Sequence, residues 1–305
     1  MIKSFRVTNY LGDSIKIILR EPERSGFLIK SVDGLGPTKA NVNTVDISTK
    51  DGSVFNSARL NQRNIVFEMI FVNTVQKEDI ESVRQKSYKY FPVKKNIELV
   101  IETDNRLVKT TGYVESNEPN IFSEQEGANI SIICPDPFFY SANKTMVTEF
   151  YTVIPMFEFP FSNESLTEPL LSFGAIQIKT EDNIYYSGDD EIGMIIYIHA
   201  IGTAKNIGIY NMDTREQITI DTAKIEAITG AGITNGDDII INTVKGHKSI
   251  MLLREGVSYN ILNCLDKNTD WLVLRKGDNQ IAFTAEEGVT NLQFRIENEI
   301  IYEGV

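Results

Sequence analysis

The feature that most constrains this chain is a period-two alternation of apolar and polar side chains. In Leu292-Gln293-Phe294-Arg295-Ile296-Glu297 the two kinds take turns without a break. Successive side chains of a strand point to opposite faces, so this pattern buries one face and wets the other, as in a half-buried antiparallel strand. Ile239-Ile240-Ile241 and Trp271-Leu272-Val273-Leu274 read as more buried strands. Turn clusters fall between such runs: Thr234-Asn235-Gly236-Asp237, Val244-Lys245-Gly246-His247, Arg275-Lys276-Gly277-Asp278-Asn279 and Glu286-Glu287-Gly288. Strands punctuated this closely predict a mainly β chain, a sandwich or barrel.

One segment departs from the alternation. Residues 74–91 contain neither Gly nor Pro, and Ile80, Val83 and Ser87 share a helical face with Tyr90 or Phe91. Glu78, Asp79 and Glu81 come early and Lys86 and Lys89 late, which suits the helix dipole. The spacing predicts one amphipathic helix over 74–91, stopped by Pro92. Strands are expected to resume at Asn96–Glu102, Lys109–Glu115 and Asn129–Cys134.

Length and charge divide the chain. At 305 residues it suggests two domains, each large enough to bury a core without a metal or disulfide staple. Residues 1–140 carry 18 Lys+Arg against 18 Asp+Glu, and residues 141–305 carry 12 against 24, so the whole net charge of −12 sits in the second part. Pro135-Asp136-Pro137 stops a strand, because proline cannot donate to a ladder. The expected domains are therefore 1–140 and 141–305. The aromatic run Met156-Phe157-Glu158-Phe159-Pro160-Phe161 is expected to lie extended along a surface. An acidic second half repels phosphate and argues against a grip on nucleic acid. The N-terminal residues lack the apolar core of a signal peptide, and no run reaches the length of a membrane span.

Chemistry-bearing patterns are sparse. Cys134 and Cys264 stand alone without CxxC spacing, which suits reduced thiols in a reducing cytoplasm. Together with His199 and His247 they make no three- or four-ligand metal set. His199 sits in a strand-like run and His247 in a turn. Gly188-Asp189-Asp190-Glu191 lacks the spacing of a calcium loop and reads as a solvated turn. No phosphate-binding, dinucleotide, zinc-protease or serine-hydrolase motif occurs. No cofactor, metal or catalytic residue is expected. Trp271, the single tryptophan, reads first as a core residue and second as a platform for a sugar ring.

Several short motifs occur in a fixed order: Gly34-Leu35-Gly36-Pro37, Asp51-Gly52, Ala58-Arg59, Arg63-Asn64-Ile65-Val66-Phe67, Pro135-Asp136-Pro137-Phe138-Phe139, Gly202-Thr203-Ala204-Lys205-Asn206-Ile207, Gly236-Asp237-Asp238-Ile239-Ile240-Ile241-Asn242-Thr243, Trp271-Leu272-Val273-Leu274 and Lys276-Gly277-Asp278-Asn279. Their order resembles the distal tail (Dit) protein family of siphophages. The resemblance implies an N-terminal β-barrel or sandwich with one helix, and a C-terminal galectin-like β-sandwich. It also implies a structural virion component: a homohexameric ring at the tail tip, around a channel for DNA. Implied partners are the tail tube protein, a tail-associated lysin-type hub protein and receptor-binding proteins, with assembly in the bacterial cytoplasm and no membrane insertion. Gly34, Leu35, Gly36 and Pro37, in a loop running from Ser31 to Thr44, are the candidate assembly residues. The alternative reading is a carbohydrate-binding receptor module using Trp271. Galectin-type sugar sites use a His-x-Asn-x-Arg strand, which this chain lacks, so that site does not carry over. A tail-associated hydrolase is a third, weaker reading.

Overall fold

Alternation in the sequence becomes alternation of sheet faces. In the strand Arg63–Phe71 the residues 63, 65, 67, 69 and 71 are buried and those between them are not. The structure is a computed structural model, and it describes every residue except 50, 144, 157–166 and 168–173. Phe157–Phe161 of the aromatic run therefore lie outside the described residues, whereas Met156 is exposed.

The elements follow in chain order. β1 (Ile2–Asn9), β2 (Ser14–Ile18), β3 (Phe27–Asp33), β4 (Ala40–Asp46), β5 (Ser53–Leu60) and β6 (Arg63–Phe71) lead into helix α1 (Ile80–Tyr90). β7 (Asn96–Thr103), β8 (Leu107–Pro119), β9 (Gly127–Cys134) and β10 (Phe139–Ser141) follow. Next come β11 (Met146–Glu149), β12 (Tyr151–Pro155), β13 (Gly174–Ile178), β14 (Glu181–Tyr186), β15 (Ile192–Gly193), β16 (Ile195–Ala200), β17 (Lys205–Asn211) and β18 (Gln217–Ile220). After α2 (Thr222–Thr229) the chain forms β19 (Asp238–Asn242), β20 (Ser249–Arg254), β21 (Val257–Asn260), β22 (Val273–Leu274), β23 (Gly277–Glu287), β24 (Leu292–Asn298) and β25 (Ile301–Tyr302). The chain is mainly β, as the alternation predicts.

Two compact units result: Met1–Lys144 with Ile301–Val305, and Thr145–Ile300. A linear boundary near 140 leaves out the return of the last five residues, which β25 brings back to β10 in the first unit (Phe139 opposite Tyr302). In the second unit the first strand, β11, pairs with the last, β24 (Met146 opposite Asn298).

The first unit is one curled sheet in the order β2-β1-β7-β8-β9-β6-β3. Phe5 on β1 and Phe67 on β6 are separated in that order by three strands, yet their rings meet edge to face at 5.2 Å. The sheet therefore wraps round its own core, barrel fashion. α1 lays Val83 and Ser87 on that core, and Phe91 ends the helix fully buried. The helix starts at Ile80 rather than at residue 74. Lys77 takes a left-handed φ of 59°, and the Asp79 side chain caps the helix by accepting from the Ser82 backbone N–H at 2.9 Å.

The second unit packs a six-stranded sheet (β11-β24-β16-β19-β20-β21) against a four-stranded one (β14-β23-β17-β18). Phe283 of β23 stacks on Phe294 of β24 with ring centroids 3.6 Å apart, and Phe150 meets Phe283 edge-on at 5.9 Å. It also holds a second, short helix, α2, capped by Asp221 and closed by Gly230 at a φ of 81°. Of the expected strand at 271–274 only Val273–Leu274 is paired.

Candidate functional site

Arg63 is the residue round which the N-terminal motifs gather. It opens β6, points inward and is 1% exposed. Nε donates to Pro137 O at 2.9 Å, and Nη2 donates to Pro137 O at 2.6 Å and to Glu303 O at 2.7 Å. Nη1 donates to Gly34 O and to Gly36 O, each at 2.6 Å. All five N–H groups thus meet backbone carbonyls, and the guanidinium also lies 4.1 Å from the centre of the Phe139 ring. Burial pulls its pKa below the ordinary value, offset in part by Cys134 and Asp136. A buried cation held by carbonyl dipoles ties three distant segments together; nothing here is arranged for reaction.

The Gly34–Pro37 segment is consequently anchored. Gly34 takes a φ of 84°, and a Cβ there would lie 1.9 Å from Asn64 O, so only glycine fits. Leu35 packs against the core and its carbonyl accepts from the Val305 N–H at 3.1 Å. Pro37 lines a small cleft of about 60 Å3 with Pro137, Phe138 and Glu303. On the proline side, the Asp136 carboxylate accepts from the Phe138 N–H at 3.0 Å and from the Tyr140 hydroxyl at 2.5 Å.

Beyond Pro37 the chain leaves the curled sheet as the β4–β5 hairpin. Its strands pair only with each other, and every residue of both is exposed. The register runs Ala40 with Leu60, Val42 with Ala58 and Asn43 with Ser57, then skips to Thr44 with Phe55. Asn56 is thus an extra residue on β5, a bulge. Residues directly opposite share a face, so the bulge returns Phe55 to the face of Ala40, Val42, Ala58 and Leu60. Asn41, Asn43, Ser57 and Arg59 occupy the other face together with the exposed pair Val45 and Val54, and there Asn43 Nδ2 donates to Ser57 Oγ at 3.0 Å.

In the second unit Asp237, 1% exposed, accepts from Arg254 Nε at 2.7 Å and, at its second oxygen, from Arg254 Nη2 and the Thr234 N–H. Burial acts to raise the Asp237 pKa, but the hydrogen bonds from Arg254 and Thr234 outweigh it and hold the carboxyl below its ordinary value. Asn279 closes the 275–279 turn, accepting from the Arg275 N–H and donating to Arg275 O. Trp271 is half-buried, with the Lys248 ammonium 5.0 Å over its ring. Cys134 and Cys264 are buried free thiols, and burial pushes both pKa values up. His247 is exposed in its turn, and His199 Nδ1 pairs with Asp238 Oδ1 at 2.7 Å on an exposed sheet face. Asp189 lies 3.6 Å from the Lys276 ammonium and Glu191 lies 3.9 Å from Arg275 Nε. Among the described residues no three metal-ligating side chains converge, and no helix is long and apolar enough to cross a membrane. Sequence reasoning missed Arg63 as the centre of its own motif and Arg254 as the partner of Asp237; neither carries a local pattern that would mark it.

Residues 22–150 match the family model of the phage tail protein RIFT-related domain. No curated protein matches the sequence. Among solved structures, the crystal structure of the Dit protein (gp 19.1) of phage SPP1 superposes with a TM-score of 0.60 at 13% identity, covering 98% of this chain and 100% of that one. A chain of the phage p2 baseplate in its activated conformation with strontium gives 0.44 at 13% identity, covering 97% of both chains. The same baseplate with calcium gives 0.44 at 14%, covering 98% of both. Residues 22–150 therefore carry a domain similar to the phage tail protein RIFT-related domain. The chain as a whole has a fold like that of the SPP1 Dit protein, in line with the resemblance carried by its motifs.

Proposed function

We propose that this chain is a structural, non-catalytic subunit of a phage tail tip, which closes into a homohexameric ring through its first unit. The ring joins the tail tube protein to a tail-associated lysin-type hub protein, offers anchorage to receptor-binding proteins and leaves a channel through which DNA passes without specific binding. The SPP1 protein of like fold is described as a paradigm of the hub of an adsorption apparatus. The number six and the named neighbours come from the family resemblance. The proposed location is the virion tail tip, after assembly in the host cytoplasm.

The observation that carries the reading is the β4–β5 hairpin. A lone two-stranded hairpin is at best marginal in water. This one exposes an apolar patch of Ala40, Val42, Phe55, Ala58 and Leu60 on one face, with Phe55 63% and Val42 52% exposed, and among the described residues its two strands pair with no other. Laying that face on the next copy makes a heterologous contact, one patch against a different patch, which is the type that closes rings. Residues 1–140 carry balanced charge, so repulsion does not build up around such a ring. The Gly34–Pro37 segment serves this reading as the anchored root from which the hairpin springs. Trp271, covered by Lys248, does not favour the carbohydrate alternative at that position.

Native mass spectrometry of the purified protein tests the proposal. The parent chain is expected as six copies of 34.4 kDa, and Phe55→Asp as a folded monomer. A parent that stays monomeric at every concentration, or a ring that survives Phe55→Asp together with Val42→Asp, overturns it.

A further inference from the structure

Among the described residues the β4–β5 hairpin pairs with no other strand, so its direction is set at its root. There the Asn61 N–H donates to Lys39 O at 3.1 Å and closes the base. The cleft at that base is lined by Pro37, Thr38 and Leu60 from the hairpin, by Pro137 and Phe138 from the segment that leaves the first unit, and by Glu303 from the segment that returns to it. The root is thus wedged against both of the segments that connect to the second unit.

The returning segment, residues 301–305, is short and braced along its length. Its ladder with β10 is two residues long, Tyr302 opposite Phe139 and Ile301 opposite Tyr140. Glu303 O accepts from Arg63 Nη2 at 2.7 Å, and Gly304 O accepts from Arg106 Nη1 at 3.2 Å, with that guanidinium 4.3 Å over the Tyr302 ring. The Val305 N–H donates to Leu35 O at 3.1 Å. Leu35 lies between Gly34 and Gly36, whose carbonyls accept from Arg63 Nη1, so residues 301–305 brace the same stretch that launches the hairpin. Five residues with so short a ladder do not hold such a place as a free peptide, because the entropy of ordering them exceeds what the ladder contributes. Their seating depends on how they are tethered.

The tether is the second unit. Met146 on β11 lies directly opposite Asn298 on β24, so the folded unit keeps its own two ends at the spacing of paired strands. From Tyr140 to Ile301 the path then runs through about nine residues, against about 160 once the second unit is unfolded, and loop closure that falls as about the 3/2 power of length makes the seated state rarer on the order of a hundredfold. We propose that folding of the second unit gates presentation of the β4–β5 hairpin: by holding its two ends side by side it delivers residues 301–305 to the hairpin root, and a chain whose second unit is unfolded has a loose root. The consequence for assembly, that subunits with an unfolded second unit stay out of the ring, rests on the ring reading; the tether itself does not.

The test follows amide exchange by NMR in full-length chains. All carry Phe55→Asp, at an exposed position, so that no ring contact shields the hairpin, and Cys264→Ala, so that unfolding of the second unit frees no thiol. Phe294→Ala removes a buried ring stacked on Phe283 and lowers the melting of the second unit alone; Asp237→Ala, which breaks the buried pair with Arg254, is the alternative where Phe294→Ala does not fold. Between the two melting transitions the Val305 and Asn61 N–H groups should exchange about a hundredfold faster than in the undisturbed chain, while the amides of β6 and β9 keep their protection. Met146→Cys with Asn298→Cys, directly opposite and within disulfide reach, is then oxidised in the folded state. That link should restore most of the protection at Val305 and Asn61 although the second unit stays unfolded. The proposal is overturned if both groups stay protected beside an unfolded second unit, if β6 and β9 lose protection with them, or if the disulfide restores nothing. Native mass of the same chains with Phe55 restored reports assembly separately. A ring that forms with the second unit unfolded overturns the gating and leaves the ring reading standing, whereas no ring in any chain strikes the ring reading and leaves the exchange result to decide the tether.

Discussion

Replacing Arg63 by alanine should unfasten the first unit at three places at once. The side chain makes five hydrogen bonds to the carbonyls of Gly34, Gly36, Pro137 and Glu303 and covers the Phe139 ring. A hydrogen bond to a charged group contributes about 1.5–3 kcal/mol, but freed loop carbonyls can turn to water, so the five do not add. Removing one side of a buried charge network costs about 3–5 kcal/mol, and a figure of about 4 kcal/mol is expected here. At about 2–4 °C per kcal/mol for a unit of this size, the midpoint of its thermal transition should fall by about 10 °C. Arg63→Lys should recover less than half of the loss, because one ammonium has three donors at a single point and lacks the planar fork whose edge reaches all four carbonyls. Calorimetry gives the midpoint. Amide exchange locates the damage: the Val305 N–H, bonded to Leu35 O, should lose protection before the strands of the sheet do. If Arg63→Ala melts within about 1 kcal/mol of the parent, or Val305 keeps its protection, the clamp reasoning is refuted.

Three further outcomes are expected. Asp237 has its folded pKa depressed, so its contribution is present above the unfolded carboxyl value of about 4 and is lost as pH falls through the lower folded value; Asp237→Asn should flatten the acid limb of the second unit's stability in a pH series of melts. Gly34→Ala should destabilise the first unit by more than 1 kcal/mol in urea titration, since the new Cβ meets Asn64 O at a positive φ, whereas Gly12→Ala, at a φ of 89° with open space around it, should cost less. Cys134 and Cys264, both buried and with raised pKa values, should resist iodoacetamide in the native chain and react only on unfolding, as mass spectrometry of timed samples will show.

What could be read ahead of the structure was whatever the chain writes locally. Alternation marked β24, the strand expected at Asn129–Cys134 is β9, and the acidic start and basic end of residues 78–89 marked α1. Its first turn was misplaced because Lys77 in a left-handed conformation interrupts what looks like continuous helix. α2 escaped notice because its eight residues carry little amphipathic pattern; Asp221 and Gly230 punctuate it, but such residues also mark turns. The apolar face of the hairpin was illegible for a sharper reason. Phe55 and Ala58 lie three apart, out of step with a strand, and only the bulge at Asn56 brings them together. Arg63 likewise reads as an outward residue, since the carbonyls that make its burial tolerable come from residues 34, 36, 137 and 303. β16, β19 and β24 were each visible as strands, but their place side by side depends on a long-range pairing that no single segment announces.

The chain leaves the first unit at β10 and re-enters it at β25, and these two strands are hydrogen-bonded neighbours, as are β11 and β24 where the second unit begins and ends. The second unit is therefore an insertion whose two leads run side by side. Chain ends that lie close together tolerate transplantation of whole domains, because a replacement closes both joints without stretching its host. An exchange of the inserted unit would therefore leave Arg63 and the curled sheet around it unaltered.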